Sequence, residues 1–299
     1  MSNPLISVIM SVYNADEDQL FRAVSSILNQ TYKNLELIIA IDDMNKKNTK
    51  EYLEKTFDDD RLNVYINETN LRLPGSLSNL IKHCNADYIA RIVQDDISKP
   101  DRLEKELKLL VDDDLDLVAG NIEVIDEENN LMYCFNGEVN ETRLYKDFEL
   151  AHPTCLVKKK THEDLGLYRN FPHAEDLDFL IRAKLAGKKF GVVEDVVLSY
   201  RITTNSMSRS NELKQRYIRK FLLDHAAQNK VADIDEANAY LDSLNLTEKE
   251  MKDYSLSRYY YKRSVIAYYQ KNTFMRYMYM LMSLAVSKKA REFRFNKVK

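Results

Sequence analysis

Among the adjacent aspartates in the first half of this 299-residue chain, two pairs stand at or just beyond the end of an apolar, β-branched run that reads as a strand. Asp95 and Asp96 come after residues 88–93, which read as a buried strand, and Pro100 opens a helix just beyond them. Asp42 and Asp43 end a second such run at residues 35–41. Taken alone, an Asp-Asp pair before a helix is most simply a solvated turn that caps it. At the carboxyl end of a strand in an open α/β sheet the same pair lines the ligand crevice. There, two carboxylates can hold a divalent cation against an anionic substrate.

The elements around these acids decide between the two. Residues 5–12 read as a strand that runs into Tyr13-Asn14, and residues 18–30 as a helix in which Leu20, Ala23, Val24, Ile27 and Leu28 form one apolar stripe. Helices are expected at 50–57, 75–84 and 99–110, and strands at 62–66 and 115–125. Strand alternating with helix implies right-handed parallel crossovers and a sheet covered on both faces. That topology brings Tyr13, Asp43 and the Asp95/Asp96 pair to one edge. Beyond residue 125 comes turn-rich material to about Asn140. A loop at Ala151-His152-Pro153-Thr154 follows, then a helix opening near Glu175-Asp176 that Gly187 stops, and a strand over 190–200 that runs into Arg201. Asp178 can pair with Arg182 one turn on. From about residue 211 long helices take over, ending in a helical hairpin that turns at Lys271-Asn272.

Composition narrows the class. At 44% hydrophobic and 30% charged the chain can bury a real core, and a net charge of -3 gives no global pull toward nucleic acid. Cys84, Cys134 and Cys155 are odd in number and form no Cys-x-x-Cys pair, which suggests neither a disulfide framework nor a structural zinc site and fits a reducing cytoplasm. The six glycines form neither a Gly-x-Gly dinucleotide fingerprint nor a phosphate loop. The first residues lack the basic start and apolar core of a secretion signal, and no apolar run approaches the ~20 residues of a spanning helix. The tail from Arg258 on is rich in Lys, Arg and Tyr with Glu292 as its one acid. It reads either as a packing hairpin with a solvated basic face or as a surface for anionic lipid, so contact at the inner face of the cell membrane is an expectation.

Four blocks, in this order and spacing, resemble family 2 glycosyltransferases of the bacterial capsule, exopolysaccharide and O-antigen type. They are Ile6-Ser7-Val8-Ile9-Met10-Ser11-Val12-Tyr13-Asn14; Ser25-Ser26-Ile27-Leu28-Asn29-Gln30-Thr31-Tyr32 leading to Ile41-Asp42-Asp43; the stretch from Tyr88 through Lys99-Pro100-Asp101-Arg102; and Glu175-Asp176 with Tyr200-Arg201. The resemblance implies an α/β GT-A fold, Rossmann-like with a mainly parallel sheet flanked by helices, over residues 1–210. Its nucleotide-binding half would be 1–98 and its acceptor half 99–210, with a C-terminal helical extension at 211–299. It implies an inverting, metal-dependent transfer of a sugar from a nucleotide-sugar, a UDP-sugar first, to a hydroxyl of a glycan or lipid-linked acceptor. Ser11, Val12, Tyr13 and Asn14 would hold the base, with Asp43 hydrogen-bonded to it and Arg72 a further nucleotide contact. Asp95 would lie near the ribose and cation, and Asp96 would ligate Mn²⁺ or Mg²⁺. Asp176 matches the catalytic base and stands at a helix start, where the dipole favours a carboxylate. Glu175, His173, His152 and Arg201 are candidates for contacts with donor or acceptor. Many relatives read Asp-x-Asp-Asp at the metal motif, where this chain has Val93-Gln94-Asp95-Asp96. Val93 motivates the alternative of a non-catalytic nucleotide- or glycan-binding partner in a synthesis complex. A sugar nucleotidyltransferase is disfavoured by the missing Gly-rich activation loop.

Overall fold

Four of the apolar runs become the parallel half of one sheet. They are β1 (Ile6–Val12), β2 (Leu35–Ile41), β3 (Leu62–Ile66) and β4 (Tyr88–Arg91), in the order β3-β2-β1-β4, in a computed structural model that describes residues 3–42, 47–135, 150–202 and 211–295. The intervening helices are α1 (Glu17–Leu28), α2 (Lys47–Thr56) and α3 (Arg72–His83). Alternation along β1 explains why both faces are covered. Ile6, Val8, Met10 and Val12 join Leu20, Val24 and Ile27 of α1 in one core cluster, while Ser7 and Ile9 are buried on the opposite side, where α3 packs on β1 and β2. The apolar stripe expected on α1 is buried throughout, and Asp16 caps the helix by accepting from the Gln19 N–H.

The remaining strands are mixed in direction. The chain continues through β5 (Ile97–Ser98), α4 (Arg102–Asp112), β6 (Leu117–Ile125), β7 (Leu131–Phe135), a 3₁₀ turn at His152–Thr154 and β8 (Leu156–Lys158). After these come α5 (Lys159–Asp164), α6 (Glu175–Leu185) and β9 (Phe190–Arg201). β8 is antiparallel to both β4 and β6, β9 runs parallel to β6, and β5 and β7 add antiparallel to β9 and β6. The helix expected from residue 99 starts at Arg102 instead. Ile97 and Ser98 pair with β9, and the Lys99 N–H is held by the Val197 carbonyl at 2.8 Å. β7 falls within residues that read as turn-rich, its pairing supplied by β6 rather than by its own pattern.

These elements belong to a compact unit formed by Met1–Asn170 with Glu175–Arg201; a second unit consists of Phe171–Ala174 with Ile202–Lys299. The second unit holds α7 (Glu212–Ala227), α8 (Ile234–Ser243), α9 (Glu248–Tyr269), α10 (Thr273–Val286) and α11 (Lys288–Phe295). A capping box between Thr247 and Glu250 starts α9. The hairpin turns where the sequence places it, with Lys271 at φ 56° and Asn272 accepting from the Met275 N–H. Among the described residues no helix is long and apolar enough to cross a membrane.

At Gly120 β6 and β9 pack closely beside a bulge where the register slips and the Asn121 amide bonds the Glu194 carbonyl at 2.7 Å. A Cβ on Gly120 would meet Val197 Cγ2 at 2.3 Å and Cγ1 at 3.0 Å, and a β-branched side chain buried in a core has little room to yield. Gly120→Ala should therefore lower stability by about 1–3 kcal/mol in urea unfolding; an unchanged midpoint would contradict the close approach.

Candidate active site

The carboxyl ends of the parallel strands are tied together before any charge is considered. Asp42 N–H bonds the Val12 carbonyl at 2.9 Å, and Ile92 N–H the Ile9 carbonyl at 3.2 Å, so the residues after β1, β2 and β4 emerge at one edge. Gln94 then clamps the loop after β1: its Oε1 accepts from the Tyr13 N–H at 2.7 Å and its Nε2 donates to the Tyr13 carbonyl at 3.0 Å. With its backbone held, the Tyr13 side chain stands exposed at the edge of the crevice, followed by Asn14 at φ 51°. Ser11 is half-buried and Val12 belongs to the core. Asp42 is buried, and its Oδ1 accepts from Asn67 Nδ2 at 2.8 Å and the Leu71 N–H at 2.9 Å, which fixes the approach to α3. Asp43 lies outside the described residues. Arg72 opens α3 at φ 57° with an exposed side chain.

Asp96 is the most constrained acid of the set. Fully buried, it accepts from the Arg201 N–H at 2.9 Å through Oδ1, and its Oδ2 is buried without a hydrogen-bond partner. Burial, and then the neighbouring Asp95, push its carboxyl well above the usual range; the Arg201 N–H, Arg91 and Arg102 pull the other way. Burial also raises Asp95, with the Arg201 guanidinium opposing. Arg201 is a candidate substrate contact by sequence, but four of its five N–H donors are engaged within the fold. Nε bonds the Asp95 carbonyl at 2.8 Å, Nη1 the carbonyls of Asp126 and Glu127, and Nη2 the Asn129 side chain at 2.6 Å. Its place is to hold the acidic loop from behind.

A buried cation links this pair to the second pair of acids. Arg91, next to last in the run before Val93, is buried with its Nε unpartnered, and its charge acts on Asp96, Glu175 and Tyr200. Its Nη1 meets His152 Nδ1, whose Nε2 is 3.0 Å from the Tyr168 hydroxyl. A guanidinium can only donate, so Nδ1 accepts and the imidazole proton sits on Nε2, facing Tyr168. Burial, with Arg91 and His162, keeps the His152 pKa well below its ordinary value, so the ring is neutral. His152 therefore sits behind the cleft, buttressing Arg91, rather than facing a substrate. Behind Arg91, Arg102 and Glu106 form a fully buried ion pair at 3.0 Å, and Arg102 Nη2 donates to the Arg91 carbonyl at 2.8 Å.

Glu175 and Asp176 occupy the first turn of α6. Asp176 is half-buried, and its Oδ1 accepts from the Leu177 N–H at 2.7 Å. Asp178 is bound to Arg182 at 2.9 Å, as its spacing suggested, and also to Arg169. His173 has φ 60° and a pKa lowered by burial and then by Lys214. Neither Gln94 nor Arg91 was singled out from sequence. The available signals were an amide directly before paired acids and a charged residue inside an apolar strand.

Two adjacent carboxylates, one with an unbonded buried oxygen, suit a hard divalent cation such as Mg²⁺ or Mn²⁺, which binds few protein carboxylates and completes its shell with phosphate oxygens and water. The chain would contribute little beyond Asp95 and Asp96, since among the described residues no group of three or more His, Cys, Asp and Glu side chains could hold a metal ion. Burial, and then Asp176, raise Glu175 to about 7 from 4.5, against Arg91. Between those values the folded chain keeps a proton that the unfolded chain loses. The stabilisation is complete below 4.5 and disappears as pH rises through about 7. Glu175→Gln should flatten that decline in thermal melts taken across this window; a profile unchanged by the substitution would contradict the placement of the carboxyl.

Comparison with known proteins gives the site a family. The model described as glycosyl transferase family 2 matches residues 7–164. An uncharacterised glycosyltransferase of Methanocaldococcus jannaschii is 32% identical over 237 residues, 77% of this chain and 82% of that protein. The O-antigen biosynthesis glycosyltransferase WbnJ of Escherichia coli is 31% identical over 216 residues, 69% and 83% of the two chains. In structure the chain is similar to S. aureus TarS 1-349 in complex with UDP-GlcNAc, with a TM-score of 0.60 at 15% identity over 92% of this chain and 90% of that one. With its four-block pattern, parallel half-sheet and acidic loop all within the matched length or just beyond it, the chain belongs to glycosyl transferase family 2.

Proposed function

We propose that this protein is an inverting transferase that moves a sugar from a UDP-sugar to a hydroxyl of a glycan or lipid-linked glycan during polysaccharide assembly in the cytoplasm. The observation that carries the proposal is the buried Asp96, with one oxygen unbonded, sharing the Arg91 charge with Glu175, the neighbour of Asp176. The O-antigen role in the name of one relative supports the product class, and the UDP-GlcNAc complex of the structural neighbour supports the donor class.

Tyr13, with its backbone fixed by Gln94, offers a ring to the base. Asp95 and Asp96 would hold Mg²⁺ or Mn²⁺, which when bound neutralises charge on the diphosphate. The acceptor oxygen bonds to the anomeric carbon from the face opposite the phosphate. Its proton passes to the Asp176 carboxylate, and the bond to the phosphate oxygen breaks with its electron pair leaving on UDP. Attack from that side inverts the configuration. General-base assistance of this kind contributes about 10²- to 10⁴-fold.

The replacement of the family's first acid by Val93 favours a second reading, a partner that binds nucleotide or glycan without turning it over. One variant separates the two. Asp176→Asn should reduce transfer from UDP-sugars by about 10²-fold or more while UDP binding stays within about twofold. Full turnover in that variant would remove Asp176 as base, and an inactive parent that still binds UDP would favour the partner.

A further inference from the structure

Helix α10 reverses the usual relation between polarity and burial. Eleven of its fourteen residues are apolar or aromatic, yet the residue it fully buries is Ser283. Ser257 Oγ of α9 donates to the Ser283 carbonyl at 2.6 Å and lies 3.1 Å from its hydroxyl, so two small polar side chains sit at the most buried point of the contact between the arms. Phe274, Tyr277, Leu281 and Ala285, three and four residues apart, form a stripe left in solvent. Phe274 is 76% exposed and Leu281 66%. A contiguous exposed apolar stripe of this kind is characteristic of an interaction surface.

Charge indicates what covers it. Over residues 258–295 nine lysines and arginines accompany a single acid, Glu292. Several of these cations rest on rings rather than carboxylates: Arg276 lies 4.4 Å from the Tyr268 centroid and 5.8 Å from that of Tyr277, Arg263 5.4 Å from Tyr279, and Arg258 5.1 Å from Tyr261. Arginine stacked on tyrosine is suited to a boundary where rings and methylene stems enter an apolar layer while the charge stays at headgroup level. A second copy docking through the same stripe would set two cationic surfaces against each other. An anionic bilayer meets both demands at once.

We infer that the exposed stripe of α10, led by Phe274, Tyr277 and Leu281 with Lys271 and Arg276 beside it, docks this chain on a membrane surface rich in anionic headgroups. The inference is independent of the transfer reaction, because vesicle binding is read without donor or acceptor.

The test is sedimentation of the full chain with vesicles of phosphatidylcholine alone and of equal parts phosphatidylcholine and phosphatidylglycerol. The parent should pellet with the mixed vesicles, much less with the neutral ones, and less as salt is added. Phe274→Glu combined with Leu281→Glu, both at exposed positions, should lower the affinity at least about tenfold with an unchanged far-UV dichroism spectrum. Lys271→Glu with Arg276→Glu should lower it on the mixed vesicles while leaving the weak neutral binding alone. Equal pelleting by the parent on both vesicles, none on either, or an undiminished double-glutamate variant would overturn the inference. So would a parent dimer that this variant dissociates while vesicles capture neither.

Discussion

A carboxylate kept out of water with one oxygen bonded and the other not is the constraint around which the first unit is built. Asp96 takes its single bond from a backbone N–H at the far end of β9, so the last strand of the unit positions the acid that follows β4. A charge at such depth is costly, and the nearby arginines offset that cost only in part, so the carboxyl pKa stays well above the usual range. Arg91 and Arg102 lie near it, each with a buried nitrogen left unpartnered, and Arg201 closes the acidic loop through four acceptors. Such incompletely satisfied polar groups are concentrated where a fold gives up local optimisation for chemistry.

The same constraint accounts for the arrangement of neutral groups. His152 is held uncharged between Arg91 and Tyr168, so it orients the guanidinium without adding to the positive charge. Gln94 works one layer further out. By pairing both backbone groups of Tyr13 it joins the loop after β1 to the turn that bears the acids, and any shift of that turn would move the aromatic ring with it. The crevice is thus a set of loops locked to one another at the sheet edge, not independent loops on a scaffold.

What could be read from the sequence follows from range. β1 to β4, α1 and the hairpin of α9 and α10 announce themselves through periodicity and local turn residues, which are properties of a few neighbouring side chains. The Asp95/Asp96 pair was legible because it sits next to a strand end. β5 and β8 were not, because strands of two and three residues are defined by partners far along the chain, and β7 was not, because its pairing with β6 rather than its own pattern makes it a strand. The structural contacts of Arg201 and His152 could not be read for the same reason. Their partners, the carbonyls of residues 126 and 127 and the Arg91 guanidinium, come from other elements, and nothing local marks an arginine as already engaged or a histidine as buried. The exposure of the apolar stripe on α10 could not be read from the sequence, because it depends on which face packs on α9.

The central claim, that the buried acidic loop grips a diphosphate through a divalent cation, is tested most directly by titration calorimetry of UDP with and without Mn²⁺. The account predicts that Mn²⁺ tightens UDP binding to the parent chain by at least about tenfold, or about 1.4 kcal/mol, and that Asp96→Asn loses this gain while keeping its cation-free affinity. Equal UDP affinity with and without the cation in the parent, or a cation effect undiminished in Asp96→Asn, would contradict it.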